Sequence, residues 1–369
     1  MTRPLRFLEG ALEDLDRAGR LRAPTQRDTP RTLGIDLASN DYLGFASELL
    51  PTTTCGGAGA SALVLGHHPA HLEAETAFAE WVGSEAALMF SSGYAANVGV
   101  VSCLVGAGDG VFSDALNHAS IVDGCRLSRA TTHVWPHLDL ATLGELLRLH
   151  GPLYRRRLVV VESYYSMDAD GPDLAALRKL CDDHDAILMV DEAHALGVFG
   201  PSGRGRCCAV GVTPDVLVGP LGKSFGLSGA FVAGPALLRT WLWNSARSFV
   251  FSTAPSPALA AAFPRRLEQI TEADDRRSRM IEIAEDLREA VASAGGARKG
   301  FGPIVPWILG EEAHAMAVAS RLRAAGVLAV AIRPPTVPLG TARLRLVARA
   351  SLSSSEVTLA CAAISASGR

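Results

Sequence analysis

Ile187-Leu188-Met189-Val190-Asp191-Glu192-Ala193-His194 is an unbroken apolar run that ends on two carboxylates and an imidazole. Consecutive apolar residues leave a strand no face for water, so the run predicts a strand covered on both sides, as in a parallel sheet. Similar runs occur at 87–90, 110–112, 158–161, 216–218 and 230–233, alternating with helix-period segments such as 174–185. The alternation predicts a doubly wound α/β core with a largely parallel sheet. After Pro255 the pattern is helical to about residue 294. A smaller α+β unit then follows, with strands at 304–308, 328–333 and 343–347 and helices at 311–325 and 354–366. Leu5, Leu8, Leu12 and Leu15 have the spacing of an amphipathic helix. The expected organisation is an N-terminal helix and segment (1–45), a large α/β domain (46–255), a connecting helix (256–294) and a small C-terminal α+β domain (295–369).

Of the 369 residues, 48% are hydrophobic and 20% charged, enough apolar material for a substantial core. The formal charge of -3 provides no basic field, so nucleic acid and acidic membrane are not expected partners and the ligand is expected to be small. Seven cysteines without a CxxC pair, and a start lacking an apolar signal core, point to reduced thiols in a cytoplasm. No apolar run reaches the ~18–20 residues that a membrane span needs.

In open α/β sheets ligands bind beyond the carboxyl ends of the strands. At one such end, Ser91-Ser92-Gly93-Tyr94-Ala95-Ala96-Asn97 is a small-residue turn into a helix, suited to an anion and equally to a helix cap. Asp191 could cap a helix, bind a metal or pair with a cationic ligand atom. The only lysines are Lys179, Lys223 and Lys299; the first and last read as solvated, whereas Lys223 lies among glycines and apolar residues in Gly219-Pro220-Leu221-Gly222-Lys223-Ser224-Phe225-Gly226. Gly222-Lys223-Ser224 ends like a P-loop, but Leu217 occupies the position where GxxxxGK[ST] needs its first glycine. Lysine, carboxylate and anion-binding turn together satisfy pyridoxal 5'-phosphate (PLP), which needs a Schiff-base amine, a partner for its pyridinium nitrogen and a phosphate cradle.

These motifs, in this order, resemble the α-oxoamine synthases, fold-type I PLP enzymes with an aspartate-aminotransferase-like architecture. The resemblance runs from Asn40-Asp41-Tyr42-Leu43-Gly44 through Gly57-Ala58-Gly59-Ala60-Ser61, His71-Leu72-Glu73, Asn117-His118-Ala119-Ser120 and Ser166-Met167-Asp168. It continues through Gly203-Arg204-Gly205, Phe251-Ser252-Thr253-Ala254 and Ile332-Arg333-Pro334-Pro335 to Arg343-Leu344-Arg345-Leu346. It implies Lys223 as Schiff-base lysine and Cα proton carrier, Asp191 as pyridinium partner and His118 stacked on the ring. It places His194 and Ser166 near the phenolic oxygen and ring, and Ser92, Gly93 and Tyr94 at the phosphate or flanking the cofactor. Ser252 and Thr253 would reach the phosphate from a neighbouring subunit, which implies a homodimer. Asn40 and Arg345 would hold the amino-acid carboxylate, and Arg333 would contact the acyl chain. The reaction implied is decarboxylative condensation of L-alanine with a pimeloyl thioester, on CoA or an acyl carrier protein. Rival readings are a glycine-using ligase, a 5-aminolevulinate or serine palmitoyltransferase activity, and a catalytically silent PLP-binding subunit.

His67 and His71 have the spacing of metal ligands, but the His71-Leu72-Glu73 match reads as the start of a helix, and no metal is expected. The chain departs from the family pattern at three places. Pro220 stands where relatives usually carry a hydroxyl residue near the phosphate, so one contact is expected to be lost or supplied elsewhere. Ala169 replaces a frequent glycine, a mild change at negative φ. The stretch between Gly44 and Gly57 is shorter than in most relatives and lacks a helix pattern, so an altered mouth of the site is expected.

Overall fold

The computed structural model describes residues 7–18, 34–48 and 56–368. It forms two compact units, Asn40–Met280 with Arg349–Ser351, and Met1–Ser39 with Ile281–Ala348 and Leu352–Arg369. Helix α1 (Phe7–Arg17) and strand β1 (Ile35–Asp36) belong to the second. The shortened stretch expected to alter the mouth of the site falls mostly at 49–55, outside the described residues.

The large unit runs α2 (Pro69–Val82), β2 (Ala86–Phe90), α3 (Gly93–Leu104), β3 (Gly110–Asp114), α4 (Ala119–Ser128), β4 (Thr131–Trp135) and α5 (Leu140–His150). It continues with β5 (Arg157–Glu162), α6 (Leu174–Asp183), β6 (Ile187–Asp191), α7 (Gly205–Ala209), β7 (Val216–Pro220), β8 (Ala230–Gly234), α8 (Ala236–Ser245), α9 (Arg247–Val250) and α10 (Pro257–Thr271). Helix α11 (Asp274–Ser293) completes it and runs on into the second unit. Seven strands form one sheet in the order β2-β8-β7-β6-β5-β3-β4. All its pairings are parallel except the two made by β8.

The apolar runs are covered on both faces as their composition demands. Leu158 and Val160 pack with Val100, Val101 and Ile121 of α3 and α4, while Val159 and Val161 pack with Leu143, Leu147, Leu174 and Leu177 of α5 and α6. Each such side chain contributes about 1.5–3 kcal/mol on burial. Strand β4 was not expected. It is an edge strand whose Thr131, Thr132 and Val134 face solvent and whose Trp135 alone is fully buried, so it carries no apolar run. Three parallel strands extend past their apolar residues to a buried carboxylate: Asp114 on β3, Glu162 on β5 and Asp191 on β6.

In the second unit β9 (Ile304–Gly310), β11 (Val330–Ile332) and β12 (Ala342–Val347) form an antiparallel sheet, with helices α12 (Glu312–Ala324) and α13 (Ser354–Ser367). The single strand expected at 328–333 is divided. β10 (Val327–Leu328) pairs with β1, and after the buried Ala329 the chain changes partner so that β11 pairs with β12. Ser353 and Glu356 form a reciprocal capping box on α13, which sets where that helix begins.

Candidate active site

Lys223 is presented by a loop between β7 and β8. Hydrogen bonds from Leu221 N to Gly229 O (2.9 Å) and Leu227 N to Leu221 O (3.1 Å) close the loop, and Gly226 N to Lys223 O (3.0 Å) turns its tip. Gly226 has φ +60, and a Cβ there would lie 2.5 Å from Ala46 N, so only glycine fits this turn. Lys179 and Lys299 are exposed, the former paired with Asp183 at 2.6 Å.

A cavity of about 320 Å³ opens beside this loop and brings together Lys223, Asp191, His118, His194, Asn40 and the Ser92-Gly93-Tyr94 turn. Ser166, Ser252 and Thr253 lie outside its lining; Thr253 is exposed and bridges to Ser61. Arg345, buried on β12, and Arg333, just after β11, belong to the second unit. A larger and shallower depression of about 520 Å³, lined by residues such as Trp81, Arg204 and Glu268, gathers no comparable set of groups.

Asp191 is buried and oriented. Its Oδ1 accepts Ala193 N at 2.8 Å, and its Oδ2 accepts Asn97 Nδ2 at 2.7 Å. The same Asn97 amide donates to Ser120 Oγ (3.0 Å), which leaves the Ser120 hydroxyl to donate to His118 Nδ1 at 2.7 Å. His118 Nδ1 also accepts Ser120 N at 3.2 Å as the N-cap of α4. A ring nitrogen that only accepts belongs to a neutral imidazole, with its proton on Nε2. Burial lowers the His118 pKa below the ordinary value; Asp191 opposes the shift and Lys223 reinforces it. Tyr42 Oη meets His194 Nδ1 at 2.6 Å.

The start of α3 could serve as an anion cradle. Ser92 Oγ is its cap and accepts Ala95 N at 3.1 Å, so the anion-binding capacity rests on the backbone of the first turn, as at other helix N-termini. A Cβ on Gly93 would come within 2.6 Å of Pro220 Cγ, so Gly93 and Pro220 pack directly together on the cavity wall. Pro220 brings no donor there, and Ser228 is a hydroxyl residue lining the same cavity.

Sequence reasoning did not single out Glu162, Asn97 or Ser120. Glu162 accepts His118 N at 2.7 Å and pairs in register with Asp191. Burial, and then the neighbouring Asp191 charge, raise its pKa, against the pull of Lys223. Asn97 was visible as the last residue of the quoted Ser91–Asn97 motif; Glu162 had no signal beyond following an apolar run.

The histidines at the start of α2 are structural. His68 and His71 form a reciprocal capping box, and His71 Nε2 reaches Pro255 O at 2.8 Å. His67 meets the Glu75 carboxylate at 3.3 Å. Ala169 has φ +56, so the condition under which its replacement of glycine is mild does not hold.

The family model for aminotransferases of class I and II matches residues 33–364. The chain belongs to the aminotransferase class I and II family. Among curated class I and II relatives, the 8-amino-7-oxononanoate synthase of Anaeromyxobacter dehalogenans is 44% identical over 97% of this chain and 92% of its own. A serine palmitoyltransferase of S. paucimobilis, solved with a bound PLP-myriocin aldimine, superposes with a TM-score of 0.90 at 27% identity, covering 99% of this chain and 98% of that one. The 8-amino-7-oxononanoate synthase of Francisella tularensis gives 0.76 at 25% identity, over 90% and 97%. The large α/β unit with its mostly parallel sheet is thus the class I and II architecture expected from the sequence.

Proposed function

We propose that this chain is a PLP-dependent acyltransferase that condenses L-alanine with a pimeloyl thioester, on CoA or an acyl carrier protein, to give 8-amino-7-oxononanoate, a step of biotin synthesis. The observation that carries the choice of reaction is the likeness to curated enzymes of that name over nearly the whole chain. The higher structural similarity to serine palmitoyltransferase supports the shared condensing chemistry and comes with much lower sequence identity.

The residues present fit the cofactor: one cavity holds an amine, a fixed carboxylate and a helix N-terminus. Bound there, PLP would supply an electron sink for the pair left at the substrate Cα when a proton or carbon dioxide departs. Lys223 would anchor the cofactor covalently and, once displaced by the substrate amine, carry the Cα proton. Asp191, fixed by Asn97 and the Ala193 N–H, would hold the pyridinium nitrogen in its protonated form. His118, neutral and locked by Ser120, would offer a flat face to the ring, and His194 would stand near the phenolic oxygen. The first turn of α3, at Gly93 and Tyr94, would receive the phosphate. Asn40, on the cavity wall, would bind the amino-acid carboxylate; the family resemblance gives that role to Arg345 also, and an acyl-chain contact to Arg333. In the reaction the substrate Cα bonds to the thioester carbonyl carbon, thiol leaves, and the carboxylate departs as carbon dioxide.

A homodimer is part of this reading. Leu63, Val64 and Leu65 are exposed on one turn, Leu65 at 88%, with Phe251 at 71%, close in sequence to the bridged pair Ser61 and Thr253. That apolar surface suits a second copy, which would bring Ser252 and Thr253 to its partner's phosphate site. The described cysteines are free thiols, which supports a cytoplasmic enzyme. Among the described residues no helix is long and apolar enough to cross a membrane.

The test is product analysis with L-alanine, glycine and L-serine, each with pimeloyl and palmitoyl thioesters. The reading requires 8-amino-7-oxononanoate from alanine and the pimeloyl donor as the preferred outcome. Preference for serine with the palmitoyl donor, or for glycine, overturns it.

A further inference from the structure

His137, in the turn between β4 and α5, touches a carboxylate with each ring nitrogen. Nδ1 lies 2.8 Å from Asp114 Oδ1, and Nε2 lies 3.2 and 3.3 Å from the two oxygens of Asp170. Carboxylates only accept, so both nitrogens must donate, and an imidazole that donates twice is an imidazolium. Asp114 ends β3 with its side chain fully buried; it also accepts Leu116 N at 2.8 Å and Leu138 N at 3.0 Å. The groups facing His137 are Asp114 from β3, and Asp170 and Tyr165 from the turn after β5, the Tyr165 ring standing edge-on at 4.5 Å. Burial opposes the charge on His137, but the two carboxylates outweigh it and push the pKa up to about 9.

Both tethered turns lead to the cavity. Four residues beyond Asp114 is His118. In the other turn, Tyr165 N binds Asp170 O at 2.8 Å, and the Tyr165 hydroxyl donates to Asn117 Oδ1 (3.2 Å) and receives Glu162 N (3.3 Å). A slackened Asp170 would therefore loosen Tyr165, and with it Asn117, His118 and Glu162.

We propose that His137 is a positioning residue of the active site, a charged strut between Asp114 and Asp170 that holds His118 and Glu162 in the cavity wall and so couples cofactor affinity to its own protonation. The proposal rests on the reading of this cavity as the PLP site. A group whose pKa rises on folding gives support that is complete below its unfolded value, ~6.5, and is lost as pH climbs through the folded value. For His137 the tightening of the site is therefore lost as pH passes about 9.

The experiment measures pyridoxamine 5'-phosphate binding by fluorescence at pH 7 and pH 10, for the wild type, His137→Gln and His137→Arg. This probe has no aldehyde, so imine formation by Lys223 does not enter. The imidazole of His137 is titrated in parallel by NMR. Wild type is expected to bind at least tenfold more weakly at pH 10 than at pH 7, in step with the His137 titration. His137→Gln should be weak at both pH values, with the wild-type step reduced or absent. His137→Arg, charged throughout, should keep tighter binding at pH 10 and serves where the Gln variant fails to fold. His137 titrating at or below its ordinary value, or folded variants with the wild-type pH step, overturns the proposal. Failure of the wild type to bind the probe at any pH overturns the cofactor-site reading instead.

Discussion

Asp191 Oδ2 and Asn97 Nδ2 meet at 2.7 Å, joining the carboxyl end of β6 to the first turns of α3 across 94 residues of sequence. The same amide reaches Ser120, so one side chain aligns both the carboxylate and, through the serine hydroxyl, the His118 ring. Asn97→Leu keeps the size and removes both bonds. A hydrogen bond to a charged group contributes about 1.5–3 kcal/mol, so kcat/KM should fall by about 10–150-fold. An Asn97→Leu enzyme of wild-type activity and intact fold would remove this residue from the machinery.

His118 has two separable duties, capping α4 and presenting a ring to the cavity. His118→Asn supplies a good cap without an imidazole and should preserve thermal stability while weakening PLP binding. His118→Phe supplies a ring without an acceptor. It should lose about 0.5–2 kcal/mol of stability yet hold the cofactor better than the Asn variant. Calorimetry and cofactor titration on the two proteins decide, and the reverse ranking contradicts the assignment.

Leu65 is the most exposed of the apolar side chains on its turn. Leu65→Arg places a charge in the proposed subunit contact, where burying it unpaired costs several kcal/mol. Light scattering should find the wild type at twice the chain mass and the variant shifted toward the monomer. A wild-type monomer at micromolar concentration ends the shared-site reading.

Ala169 sits at φ +56 and is fully buried. The left-handed backbone costs an L-residue roughly 1–2 kcal/mol. Glycine would relieve that but pay about 0.5–1 kcal/mol of backbone entropy, and would lose a buried methyl of about 0.8 kcal/mol. The contributions nearly cancel, so Ala169→Gly should lie within about 1 kcal/mol of wild type, whereas Ala169→Val, β-branched at the same φ, should be clearly destabilised. Urea denaturation measures both.

The parallel core was legible because a strand covered on both faces must be apolar at every position, as at 158–161 and 187–190. β4 was not, because an edge strand needs only one buried residue, here Trp135. Of the cavity, the sequence supplied the ordered groups Lys223, Asp191, His118, His194, Asn40 and Ser92-Gly93-Tyr94, which the fold gathers around one space. It did not supply Glu162 or His137, whose significance lies in partners contributed by other strands and turns. Nor did it reveal that the Ser92 hydroxyl is occupied as a cap, since a Ser-Gly turn serves helix and anion alike.

Helices α2 and α4 each carry, at their opening residues, an imidazole that must stay unprotonated to accept a backbone N–H: His71 Nδ1 receives His68 N at 2.9 Å, and His118 Nδ1 receives Ser120 N at 3.2 Å. The pKa values of His71 and His118 are both lowered, burial being the main cause. Below about pH 6.5, the ordinary value, the unfolded chain takes up protons that these folded rings refuse, and stability declines. Mild acid therefore bears on the first turn of α2 and on the start of α4, where His118 lines the proposed cofactor cavity.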